Sequence, residues 1–166
     1  MSPYCNALSS YISAGAVHRF VSNVECINIQ HNVCFEVCGL SVLPFGVLHG
    51  EDLQSLGFLF GSEERVCYIS DISRMPEESL QILKRSGRID ILIVDALLMG
   101  REHPTHYSLE QAVDLCKELR PKQALFVGMS SGMDHDEVNE YLYQIGIEEG
   151  LNMKLAHDGL SIDVNL

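Results

Sequence analysis

The sequence predicts an α/β fold, one mixed sheet with flanking helices. Three observations lead there. From Val24 to Phe60 the pattern is mostly strand-like, with alternation clear in "VECINIQ". After Asp71 the period switches to that of amphipathic helices, which alternate with short apolar runs of strand length. Polar groups then collect just after the strands, at His49, Asp71, Asp95, His106 and Ser130/Ser131. Layered α/β proteins place their chemistry at such positions.

The elements follow in order. "VECINIQ" (24–30) alternates, "NVCFEVCG" comes next, and "LSVLPFGVLHG" is a long strand ending in turn chemistry. "SLGFLFG" and "RVCYIS" are separated by Ser62-Glu63-Glu64 and read as a hairpin. "MPEESLQILKRSG" has Pro76 in its first turn, acids behind it, bases near its end and Gly87 as a stop, the polarity a helix favours. "IDILIVDAL" (89–97) is a nearly continuous apolar strand that delivers Asp95. The loop "LMGREHPTHY" leads to "SLEQAVDLCKELRP", a helix with Ser108 as N-cap. "KQALFVGM" is a buried strand and "DHDEVNEYLYQIG" a helix. "MKLAHDGLSIDV" closes as a hairpin about Asp158-Gly159.

A chain of 166 residues suits one domain, spanning 1–166. No apolar run reaches the roughly 20 residues that span a bilayer. The first twenty residues lack the basic start and apolar core of a signal peptide. A soluble cytoplasmic protein that does not engage membranes is expected. The net charge of −12 repels phosphate backbones, so a small-molecule substrate is expected over RNA unless bound cations invert the local field. The six cysteines form no CxxC pair, which suits a reducing compartment. Cys34 and Cys38 offer half a zinc site without a second pair, and read instead as small buried thiols in or beside strands.

Two residues at strand ends are candidate metal ligands. His49 follows one strand and precedes Gly50; Asp71 ends another, one hairpin away. Imidazole binds zinc or manganese well, and a carboxylate bridges two such cations. Each also has a bland reading, as a structural histidine and a turn-capping acid. His106, just ahead of a helix start, either protonates a leaving oxygen or helps to cap the helix. His103 reads as solvated loop, and Asp134, His135 and Asp136 as an acid-rich helix start. His18, His31 and His157 have no partner at a diagnostic spacing, and no GxSxG, P-loop, GxGxxG or HExxH is present.

"LSVLPFGVLHGEDLQSLGFLFGSEERVCYISDIS", "IDILIVDAL…HPTHYSLEQA", "PKQALFVGMSSGMDH" and "HDGL" together resemble the second half of a metallo-β-lactamase-fold hydrolase, from about residue 24 onward. The branch is the plant and fungal putative-hydrolase group. It is similar to the bacterial cyclic phosphodiesterase of phosphonate breakdown and, more distantly, to the tRNA 3′-processing endonuclease. The resemblance implies a partial αββα sandwich and metal-dependent hydrolysis of a phosphodiester or related ester, with zinc or manganese as cofactor. It implies that His49 ligates the first metal, that Asp71 bridges both, and that His106 serves the scissile phosphate. Two departures stand beside it. The family's HxHxDH motif has no counterpart, since no two histidines here are separated by one residue. Ser131 occupies the degenerate position where the family carries a histidine for the second metal. These departures imply a truncated hydrolase with impaired activity or none alone. The alternative is a non-catalytic fragment or partner-binding module that forms a homo-oligomer or associates with a full-length paralogue.

Overall fold

A computed structural model describes residues 26–166, among which lie seven strands and three helices. β1 (Phe35–Val37), β2 (Leu40–Leu48), β3 (Gln54–Phe60) and β4 (Val66–Ile69) form an antiparallel meander. From β4 the chain alternates through α1 (Glu77–Arg85), β5 (Ile91–Asp95), α2 (Leu109–Leu119), β6 (Gln123–Val127), α3 (His135–Glu149) and β7 (Met153–Leu155). Those last strands are parallel, and strand order in the sheet equals chain order. Right-handed crossovers that step in one direction put every helix on the same face.

That face carries the main core. Phe45, Leu59, Ile69, Leu92, Val94 and Phe126 from the strands pack with Leu83, Ala112, Cys116 and Leu142 from the helices. The helix ends are those the composition demands. α2 has a full capping box, with the Ser108 hydroxyl accepting from the Gln111 amide and the Gln111 side chain returning to the Ser108 amide. α3 is capped by Asp134, which accepts from the Asp136 and Glu137 amides. Pro76 is the N-cap of α1 rather than a residue of its first turn.

Among the described residues, the opposite face is only partly covered. Leu160, Ile162 and Val164 lie over Val66, Ile91 and Leu125, and Asn165 is tied to Glu64. This replaces the expected closing hairpin. The turn at Gly159 forms, with φ +80, but the segment after it crosses the sheet face instead of pairing with β7. Two further expectations are corrected. Residues 26–30 are irregular and exposed, not a strand; Val24 and Glu25, like Cys5 and His18, lie outside the described residues. Cys34 and Cys38 flank β1 but are exposed, because a three-residue edge strand has no second layer over it. Among the described residues the buried thiols are Cys67 and Cys116.

β2 and β4 run parallel to each other and to β5 and β6, so their C-terminal ends meet at one edge of the sheet. Among the described residues no helix is long and apolar enough to cross a membrane.

Candidate metal centre

Three turns at that edge present the site. β2 stops at Leu48 and the chain reverses through Gly50, whose φ of +85 suits a residue without Cβ. β4 stops at Ile69, and Asp71 takes the left-handed conformation at φ 55, which aspartate tolerates better than most residues. The Ser55 hydroxyl donates to the Asp71 carbonyl at 2.7 Å and holds that turn. The loop after β5 is fastened at its far end, where the Leu97 amide donates to the Tyr107 carbonyl and the Leu109 amide to the Leu98 carbonyl. His106 stands just before that fastening.

The result is convergence. One ligand atom each from His49, Asp71 and His106 lie within 4.8 Å of one another. The two imidazoles meet edge to face, with centroids 4.9 Å apart. Each ring is already engaged through Nδ1. His49 Nδ1 lies 2.7 Å from the Thr105 carbonyl, and His106 Nδ1 lies 2.7 Å from Asp95 Oδ2. A carbonyl can only accept, so Nδ1 of His49 carries the proton and Nε2 keeps its lone pair. This is the outer-shell pattern that fixes the tautomer of a metal-binding histidine.

Asp95 is buried, at 4% exposure, and its second oxygen, Oδ1, has no hydrogen-bond partner among the described residues. Burial raises its pKa; the His106 hydrogen bond and charge, and more weakly the Ile72 backbone amide, oppose that shift, and Asp71 adds to it. A buried unpartnered carboxylate oxygen beside an acid and two imidazoles is a site short of positive charge. The His49 Nε2 lone pair and the Asp71 carboxylate suit zinc or manganese, and His106 Nε2 lies within reach of both, either as the third ligand a catalytic zinc takes or as a proton carrier beside the ion. The residues therefore fit a divalent cation.

The other expected positions fall as follows. Ser131 lines a neighbouring cavity of about 640 Å³ with Leu98, Met99, Arg101 and Met133. His103 is half-buried rather than solvated, its Nδ1 facing the Thr105 hydroxyl at 3.2 Å. His135 belongs to the start of α3, 3.2 Å from the Ala156 carbonyl. The residue given no role from sequence is Asp95. Its only signal was a strand-terminal acid followed by a histidine within the next loop.

A family model described as a beta-lactamase superfamily domain matches residues 4–129. The chain belongs to this superfamily. It has the metallo-β-lactamase hydrolase fold and is related to the PhnP family. A crystal structure of a diphosphatase from the PhnP family is 32% identical with a TM-score of 0.67, over 80% of this chain and 46% of that one. The zinc-bound PqqB of Methylobacterium extorquens is 20% identical with a TM-score of 0.62, over 82% and 55%. An octanoyltransferase of Porphyromonas gingivalis is 26% identical over 107 residues, 64% of this chain and 20% of that protein. The chain thus spans about half the length of these two structures and a fifth of the curated relative. The superfamily match begins at residue 4, well before residue 24, where the resemblance read from sequence begins.

Proposed function

We propose that the chain is a metal-dependent hydrolase of phosphodiesters or related esters, with zinc or manganese held by His49 and Asp71. The observation that carries this reading is the meeting of His49, Asp71 and His106 within 4.8 Å, with both Nδ1 atoms already bound elsewhere. A divalent cation there would supply an activated water and polarise the ester oxygens. The chain's own residues do the rest. Thr105 holds the His49 ring, and Ser55 holds the turn that aims Asp71. Protonated His106, its charge balanced by Asp95, delivers the Nε2 proton to the leaving oxygen. The diphosphatase relative favours a phosphoryl centre as the point of attack, and the charge of −12 favours small substrates over RNA. Residues 1–166 form one domain without the HxHxDH half. His49 and Asp71 are too few donors for the pair of metals the resemblance implies, so in this reading activity of this chain alone is impaired. The test is metal content after purification without chelator, with hydrolysis of bis(p-nitrophenyl) phosphate alongside. Bound zinc or manganese, lost in Asp71→Ala, is expected. Substoichiometric metal that the substitution leaves unchanged defeats the reading.

One observation favours a second reading, a partner-binding module. Phe58 and Tyr68 are paired neighbours on the partly covered sheet face, and Tyr68 is 40% exposed. A second copy or a full-length paralogue would cover them. Under that reading sedimentation detects an assembly, and His49→Ala leaves both assembly and metal content unchanged.

A further inference from the structure

The Ser73 hydroxyl brackets His49. It donates to the Leu48 carbonyl at 3.1 Å and accepts from the Gly50 amide at 2.9 Å, so one side chain grips the peptide groups on both sides of the candidate ligand. Its own amide donates to the same Leu48 carbonyl at 2.7 Å, and the Leu48 amide donates to the Arg74 carbonyl at 3.1 Å. Ser73 also stands two residues after Asp71. The turn presenting one donor is therefore stitched to the turn presenting the other. The Gly50 turn has little room to drift elsewhere, since a Cβ there would lie 3.3 Å from Thr105 Cγ2, in the loop whose carbonyl orients His49.

We propose that Ser73 is a positioning residue of the metal centre, setting the separation between the His49 ring and the Asp71 carboxylate. This rests on the reading in which those two residues hold the metal. Loss of the hydroxyl leaves the Leu48 carbonyl with the Ser73 amide but strips the Gly50 amide of its acceptor. The release falls on the C-terminal side of His49, and the ring loses its fixed distance from Asp71. Outer-shell losses of this kind weaken metal binding about 10–100-fold.

Cobalt(II) titration of the full chain, read by affinity and by visible absorption, tests the proposal. The comparison is wild type, Ser73→Ala, Ser73→Thr and Ser86→Ala. Ser86 donates its hydroxyl to the Ile82 carbonyl at the end of α1, and so loses a similar bond far from the site. Thermal unfolding in chelator reports the stability of each metal-free chain. Ser73→Ala should bind cobalt about 10–100-fold more weakly with an altered spectrum, the expected size of a lost outer-shell contact. Ser73→Thr should keep the wild-type spectrum, and Ser86→Ala should bind as wild type. Wild-type affinity in Ser73→Ala overturns the proposal, as does an equal loss in Ser73→Thr or Ser86→Ala. If wild type takes up no cobalt, the metal reading itself falls and takes this role with it.

Discussion

Asp90 and Asp95 stand at the two ends of β5, five residues apart and almost equally buried, at 3% and 4% exposure. Their surroundings differ in one respect. Asp90 accepts from the Arg65 amide with one oxygen and from the Arg88 guanidinium with the other. The Arg65 hydrogen bond holds its carboxyl below the ordinary value, with Arg88 assisting and burial opposing. Asp95 satisfies one oxygen on His106 and leaves the other unpartnered among the described residues, and burial raises its pKa. The two carboxyls are thus shifted in opposite directions, Asp90 by its hydrogen bonds and Asp95 by its burial. A carboxylate with both oxygens partnered is cement; one with an oxygen left over beside two imidazoles is a candidate for chemistry.

Substitutions at the two ends should separate along that line. The largest effect is expected at the C-terminal end. Asp95→Asn removes the charge that supports protonated His106, and phosphodiester turnover should fall by about 100-fold, the lower range for a positioned acid. Its unfolding free energy should change little, because the amide oxygen can still accept from His106 Nδ1 while the desolvation cost of the buried charge is removed; chemical denaturation checks this. Asp90→Ala should do the reverse. Leaving the Arg65 amide without an acceptor costs about 1–3 kcal/mol, while metal content per folded molecule stays unchanged. A loss of metal in Asp90→Ala would erase the distinction.

The smallest effect is in pH dependence. A folded pKa below the unfolded value stabilises fully above the ordinary carboxyl value of 3.8, and that contribution fades as pH falls through the folded pKa. The stability gap between wild type and Asp90→Ala should therefore be flat above that value and narrow in more acidic solution. A gap that widens on acidification contradicts the assignment.

Much of this edge was legible beforehand. His49 and Asp71 follow apolar runs, and the ends of parallel strands gather whatever residues the chain leaves there. Ser108 stood ahead of its helix as an N-cap would, while the return bond from Gln111 became visible only in the fold. What stayed hidden depended on distance across the fold. Nothing in the spacing of Asp95 and His106 encodes a 2.7 Å contact. Ser73 looks like any turn serine until its hydroxyl is seen between Leu48 and Gly50. The final segment misled for another reason. Leu160, Ile162 and Val164 alternate as a strand would, but alternation reports one-sided burial, and the sheet face supplied it without pairing.

The order of strands carries a consequence for how the molecule comes into being. Among the described residues every ladder joins strands consecutive along the chain, so the sheet can lengthen one strand at a time during synthesis, each newcomer finding its neighbour already in place. The metal-site corner cannot keep that pace. The Leu48–Arg74 bridge waits for β3 and β4, the Asp95–His106 contact waits for the loop behind β5, and the Asn165–Glu64 tie comes last of all. A nascent chain would own a sheet well before it owned a site.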